Sequence, residues 1–379
     1  MHIVLVSTFG ISLEHWERVG ILDRELKPYQ RLARKGLRIS FLTYGGKKDI
    51  EIAAKYPAIT FLTKPPYMPN LVFSILAPFI YLRLFRTADI FKTNQIYGWW
   101  TAYISAKLTG KPFLLRCGFI LSLNYERKHG STLITKIIKF QERIAFRQAN
   151  HIIVTTQAMK DFLLQFYHVL EEMVSVVPNS VDVTQFTPAM QELHSVKTRI
   201  CFVGSMKQAK NPLELLEAFS LVQVPEVHLT MIGGGVLRPQ IEAKIQKEKL
   251  NVELLGAVPN QELPDIMRSC ALFVMASLWE GHPKALIEAM SCGLPVVAYD
   301  SPGINSIIKH NINGLLSACN PNSLASTLTN ALIDECLRNR IGRAARQYVL
   351  EHYSLETVTA LEEEIYSQIL ASRIRCMTI

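Results

Sequence analysis

At 379 residues, 49% of them hydrophobic and 19% charged, the chain is too long for one ordinary core, long enough for two, and too apolar for a disordered protein. Its cysteines, Cys117, Cys201, Cys270, Cys292, Cys319, Cys336 and Cys376, form no CxxC pair and no His–Cys cluster of metal-ligand spacing, so buried thiols in a reducing compartment are expected. The net charge of +9 draws anions, and nucleic acid, an anionic membrane surface and a phosphate-bearing substrate compete for it; with no RNA-binding signature and no zinc-knuckle spacing, no nucleic-acid partner is expected.

The opening residues, MHIVLVSTFG, carry a short apolar run at 3–6 without a basic lead or a cleavage-like tail. They predict a first β-strand rather than a signal peptide, and hence a cytoplasmic protein. A glycine at Gly10, a helical pattern over 14–35, Gly36 and a strand over 37–43 complete a βαβ opening. Strand-like runs at 58–62, 89–91, 112–115, 151–154 and 174–177 follow, each separated by room for a helix. The stretch 178–188 has the prolines and turn residues of a hinge, and beyond it strands at 199–203, 227–232, 252–255, 271–275 and 295–298 alternate with helical patterns. The fold class expected is α/β, with two Rossmann-like doubly wound parallel-sheet domains facing across a cleft. The boundaries expected are 1–178, 179–352 and a closing helical segment at 353–379 whose Glu362, Glu363 and Glu364 suit a solvated face.

Two stretches bear on membranes. Residues 71–82, LVFSILAPFIYL, are strongly apolar but are interrupted by Pro78 and closed by Arg83 and Arg86, too short for the roughly 20 residues a span requires. A buried helix is expected there, with an interfacial patch as the alternative. Over 131–148, Leu133, Ile137, Phe140 and Ile144 form one helical stripe and Lys136, Lys139, Arg143 and Arg147 a basic stripe beside it. Such a helix either packs its apolar face on a core or makes peripheral contact with an anionic membrane.

The chemistry gathers in the second half. The stretch 277–293, SLWEGHPKALIEAMSCG, follows an apolar run and reads as strand end, turn at Glu280–Gly281, then a helix from Pro283 to about Ser291. Glu280 sits on the loop at the strand's C-terminal end, where ligands bind in open α/β sheets, and Glu288 lies further along the helix. The N–H groups of His282, Lys284, Ala285 and Leu286 open a helix that could accept an anion, while the carboxylates could take hydrogen bonds from sugar hydroxyls. The bland alternative is an exposed Lys284–Glu288 pair at i,i+4 and a Glu280 that merely favours the helix dipole. In ICFVGSMKQAKNPLELLEAF, 200–219, a strand ends at Gly204, and a loop with Ser205, Lys207 and Lys210 leads into a helix start at Asn211–Pro212. A cation beside a helix N-terminus suits a diphosphate, against a plain solvated lysine. The strand 229–232 runs into Gly233, Gly234 and Gly235 without the GxGxxG of a dinucleotide site, so these glycines let backbone approach a ligand or form a tight turn. The loop at 255–259, with Val258, could pack against a flat base.

In this order the segments resemble the GT-B glycosyltransferases of the retaining family 4 type, most strongly over 176–316. The hinge pattern appears as Val177-Pro-Asn-Ser-Val-Asp182, the glycine-rich phosphate loop as Val203-Gly-Ser-Met-Lys-Gln-Ala-Lys-Asn211, and the two glutamates as Glu280-Gly-His-Pro-Lys-Ala-Leu-Ile-Glu288; Cys292-Gly-Leu-Pro-Val-Val297 and Asn313-Gly-Leu-Leu316 follow. The resemblance implies a cytoplasmic enzyme moving a sugar from a UDP- or GDP-linked donor to a glycan or lipid-linked acceptor, as in bacterial cell-surface polysaccharide or glycoconjugate synthesis. It implies that Lys210 pairs with the donor diphosphate, Glu288 accepts from the ribose hydroxyls and Glu280 holds a hydroxyl of the transferred sugar. It further implies no metal and no cofactor, and a last helix that crosses back to the first domain. The family's arginine after the loop glycine is here Ser205, its later glutamate is replaced near Asn305–Ser306, and its hinge glycine is Ser180. On the acceptor side only Gly10 and Arg116 offer themselves. A non-catalytic nucleotide-sugar-binding protein and a nucleotide-sugar epimerase remain alternatives.

Overall fold

The computed structural model describes residues 1–189 and 198–377. The chain divides into two compact units, one made of Met1–Pro178 with Thr359–Ile379, the other of Asn179–Val358.

In the first unit, β1 (His2–Val6), β2 (Arg38–Leu42), β3 (Ile59–Leu62), β4 (Ile90–Thr93), β5 (Phe113–Cys117), β6 (His151–Val154) and β7 (Val174–Val176) form a sheet in the order β3-β2-β1-β4-β5-β6-β7. Every pairing is parallel. Strands this uniformly apolar require cover on both faces, and β4 shows both at once because successive side chains point opposite ways. Phe91 meets Phe85 on one face, while Lys92 reaches Glu362 and the ring of Tyr29 on the other. The expected helix over 14–35 is two, Leu13–Arg18 and Leu22–Arg34. Gly20 at φ +73° breaks it, a left-handed turn that no helix continues through.

In the second unit, β8 (Arg199–Val203), β9 (His228–Ile232), β10 (Val252–Gly256), β11 (Leu272–Met275), β12 (Val296–Tyr299) and β13 (Leu315–Ser317) form a parallel sheet in the order β10-β9-β8-β11-β12-β13. Its two faces each carry an apolar cluster, one centred on Phe273, Leu286 and Met290, the other on Phe202, Leu216 and Val274. In both sheets the order reverses once, between β1 and β4 and between β8 and β11. Loops leaving the C-terminal ends of such neighbours diverge and leave room for a ligand.

Two expectations are met only in part, the burial of 71–82 and that of the cysteines. The stretch 71–82 does form a helix, Asn70–Ile80, but it is only half buried. Phe73, Ser74, Ala77 and Pro78 face inward, whereas Leu71, Val72, Ile75, Leu76, Phe79 and Ile80 are all exposed. The cause is supply: the helix packs on its neighbour Trp99–Thr109 with one side, and no described residue of the first unit covers the other. Likewise the helix Leu133–Gln148, started by a capping box between Thr132 and Thr135, turns Thr135, Glu142, Ala145 and Phe146 inward and leaves Leu133, Ile134, Ile137 and Phe140 exposed. Of the cysteines, Cys117, Cys201, Cys270 and Cys292 are buried, but Cys319 and Cys336 are exposed. The side chain of Cys376 lies outside the described residues.

Candidate functional site

The loops that follow β8 and β11, the reversal pair of the second sheet, are stitched together. The Leu278 N–H donates to the Ala209 carbonyl at 3.0 Å. On this framework Lys210, ending the short turn Gln208–Lys210, donates its ammonium to the Glu280 carboxylate. Their side chains are 23% and 11% exposed, so the pair is largely but not wholly withdrawn from water. The two residues expected to carry the chemistry, 70 positions apart, are therefore hydrogen-bonded neighbours.

Glu280 is held from behind. Its N–H donates to the Pro302 carbonyl at 2.9 Å, and its own carbonyl lies where a Cβ on Gly303 would stand, 2.3 Å away. Gly303 adopts φ +86°, so a side chain there meets both strain and a backbone clash. Gly303→Ala is expected to cost about 1–3 kcal/mol. A urea unfolding midpoint equal to that of the parent would contradict it.

The helix after Glu280 runs Lys284–Ser291 with Pro283 as its cap and no side-chain capping bond, so its first-turn N–H groups look for acceptors outside the helix. Pro283 sits one position before the first helical residue rather than on it. His282 is buried: its carbonyl accepts from the Asn179 carboxamide at 2.7 Å, and its ring stacks edge-on against Tyr353 at 4.7 Å. Lys284 and Ala285 are half-buried, and the Leu286 side chain belongs to the core. Glu288 is 1% exposed, and its Oε1 accepts from Asn260 at 3.0 Å. The exposed i,i+4 ion pair is thereby excluded for Glu288. A carboxylate this deep requires hydrogen-bond donors, and the buried Asn260, at the loop after β10, supplies one.

The glycines serve a purpose other than the one expected first. A Cβ on Gly233 would lie 2.0 Å from the Gly204 carbonyl, and one on Gly235 2.5 Å from the Met206 carbonyl. With Gly204 N–H donating to Ile232, Met206 to Gly234 and Gly233 to Gly256, the backbone that approaches these glycines is that of the loop after β8. The Ser205 carbonyl accepts from the Lys207 N–H at 2.8 Å, Lys207 is exposed at the loop's outer edge, and Val258 packs against the apolar cluster beneath.

Gly10 and Arg116 belong to the first unit. Gly10 follows β1 at φ +77°. Arg116, near the end of β5, is half-buried and draws its electrostatic partners from Glu362, Tyr29 and Glu25, on the face that also holds Lys92. It serves that internal cluster. Sequence reasoning missed Asn179, Asn260 and Gly303. Pro302–Gly303 was legible as a turn, and Asn179 as part of the hinge pattern, but their partners lie about 20 and about 100 positions away and leave no local signal.

Among known proteins, residues 185–348 match the model of glycosyl transferases group 1 and residues 29–185 that of glycosyltransferase family 4. The chain is 24% identical over 288 residues, 71% of its length and 73% of the relative's, to the UDP-Gal:alpha-D-GlcNAc-diphosphoundecaprenol alpha-1,3-galactosyltransferase of Escherichia coli. It is 24% identical over 319 residues, 76% of its length and 82% of the relative's, to the alpha-maltose-1-phosphate synthase of Mycolicibacterium smegmatis. In structure it is similar to Anabaena HepE in complex with UDP, with a TM-score of 0.77 at 19% identity, covering 97% of this chain and 100% of that one. With both halves matched by adjoining models and the whole fold shared, the chain belongs to the GT-B glycosyltransferases of the family 4 type and is a glycosyltransferase.

Proposed function

We propose that the protein is a retaining glycosyltransferase that takes a sugar from a UDP- or GDP-linked donor and passes it to a glycan or lipid-linked acceptor, in bacterial cell-surface polysaccharide or glycoconjugate synthesis. The observation that carries this reading is the Lys210–Glu280 pair, set where the β8 and β11 loops part and beside the start of helix Lys284–Ser291. In that setting Lys210 and the helix N-terminus stabilise the diphosphate as negative charge develops on the leaving oxygen, a gain confined to the transition state. With Ser205 after Gly204 and no arginine in the loop, this charge rests on Lys210, with Lys207 at the loop's edge. Glu280 exchanges its bond from Lys210 for one from a sugar hydroxyl when donor arrives, and Glu288, oriented by Asn260, accepts from the ribose. The acceptor side falls to the first unit, with Gly10 in the loop after β1. Contact with an anionic membrane through 131–148 would bring a lipid-linked acceptor to it.

The reading is tested by a thermal-shift screen of UDP- and GDP-sugars followed by transfer assays. A donor at about 100 times its Kd stabilises the fold by about 2.7 kcal/mol. Glu280→Ala should keep that shift while transfer and donor hydrolysis fall at least about a hundredfold. Unchanged turnover would overturn the assignment, and release of an interconverted sugar nucleotide without acceptor would mark an epimerase.

A further inference from the structure

The first unit carries an exposed apolar surface along one helix. Along helix Asn70–Ile80 the outward positions are Leu71, Val72, Ile75, Leu76, Phe79 and Ile80, with no polar side chain among them. Tyr67, fully exposed, stands just before the helix. An apolar helix face of this length with no polar interruption is foreign to water and marks a docking surface.

Its surroundings select the occupant. From residue 64 to residue 88 the sequence contains no Asp or Glu, and the exposed Arg83 and Arg86 stand at the far end of the helix. From residue 127 to residue 150 the single acidic residue is Glu142, which is turned inward and accepts from Ser122 N–H and the Tyr167 hydroxyl. Of the cations in that stretch Lys139 pairs with Glu126 at 2.8 Å, while Lys136, Arg143 and Arg147 are exposed beside the exposed Leu133, Ile134, Ile137 and Phe140. Helices Asn70–Ile80 and Leu133–Gln148 both pack on Trp99–Thr109, so the two belong to one group of neighbouring helices in the first unit. A second copy of this chain would set like charges against each other. An interface with a folded protein would need polar groups at the rim to specify register, and the ridge itself offers none. An anionic bilayer surface needs no register, supplies the opposite charge and takes apolar side chains below its headgroups. The helix has 11 residues, about 16 Å, half the hydrocarbon thickness, so it lies in the plane of the interface and does not cross.

We propose that helix Asn70–Ile80 is the inserting element of a membrane-docking surface, placing Leu71, Val72, Ile75, Leu76, Phe79 and Ile80 among the acyl chains while the basic residues of Leu133–Gln148 engage anionic headgroups. The proposal rests on the membrane contact read from 131–148 only for its cationic flank; it is independent of the donor site in the second unit.

The test is co-sedimentation of the full chain with phosphatidylcholine vesicles, with and without phosphatidylglycerol. The protein should bind the anionic vesicles more tightly than the neutral ones, with the difference shrinking as salt rises. Substituting Ile75→Ser together with Phe79→Ser should weaken binding at least about tenfold, at low and high salt alike. Reversing Arg143→Glu with Arg147→Glu should weaken it at low salt and lose its effect as salt screens the charges. Because all four positions are exposed, melting temperature and donor-induced thermal shift should match the parent and serve as the control for folding and for the transfer reading. Parent-like vesicle binding by the Ile75/Phe79 variant would overturn the inserting role while leaving the contact through 131–148 intact. A parent that ignores anionic vesicles overturns both. A parent that is dimeric by light scattering and made monomeric by the Ile75/Phe79 substitutions would assign the face to a second copy instead.

Discussion

Lys210→Ala is expected to lower kcat/KM for sugar transfer by about two to three orders of magnitude, with most of the loss in kcat. The lysine donates directly to the Glu280 carboxylate, and with Ser205 after Gly204 its loop carries only Lys207 as other positive charge. Charge that builds on a leaving diphosphate is stabilised far better by a fixed cation in a partly withdrawn site than by water. Lys210→Arg should recover part of the rate, since charge returns without the same reach. Steady-state kinetics at saturating donor separate the outcomes. A loss below about tenfold would mean that the helix start and Lys207 hold the diphosphate unaided. A collapse of the melting temperature would show that the Lys210–Glu280 pair is architectural.

Glu362→Gln is expected to destabilise the protein by about 3–5 kcal/mol and to lower the melting temperature on the order of 10 °C. Lys92, on β4, is wholly buried, and donates to Glu362 at 2.7 Å and to the Tyr366 hydroxyl at 3.0 Å, with the rings of Tyr29 and Tyr366 within 5.5 Å. Burial draws the Lys92 ammonium below its ordinary value, with Glu362 pulling the other way. Burial would also push the Glu362 carboxyl up, but Lys92 and Arg116 hold it below the usual carboxylate range. The amide leaves a buried charge without its counterion, whereas Lys92→Met with Glu362→Leu removes the pair and should recover part of the stability, Arg116 and the Tyr366 hydroxyl still lacking Glu362. The direction with pH follows. A carboxyl whose folded value is depressed stabilises above its unfolded value and loses that contribution as pH falls through the folded one, so the parent should weaken below about pH 4.5 and the double variant less so. Thermal melts of the three proteins between neutral and acid pH decide it. Equal acid sensitivity would show that this pair does not set the acid limb.

Much of the architecture was legible because parallel strands covered on both faces read as continuous apolar runs, and because each switch in period was marked by glycine or proline. What was not legible depended on which neighbour arrived. The spacing of Lys284 and Glu288 is the same for a solvated pair and for a carboxylate turned into the core; only Asn260, contributed by another loop, distinguishes them. Residues 71–82 are so apolar that burial was the natural expectation, yet burial belongs to the partner as much as to the helix. The expected solvated acidic face of the closing helix holds for part of it only, since Glu362 is a core residue and Glu363 pairs with Lys35. A strand running into three glycines looks identical whether ligand or backbone approaches, and here it is Gly204 and Met206. Strand β13 was passed over because its three residues are too few to show a period.

The second unit begins and ends at one place. Val181 donates to the Tyr353 carbonyl and accepts from Leu355, so the chain enters this unit and leaves it through two adjacent, parallel-paired segments. The whole second unit is thus entered and left by one doorway, and two closely set cuts would separate its chain from the rest. The first unit has no such freedom, because its last helix, with Glu362 locked on Lys92, returns only after that doorway has been crossed twice.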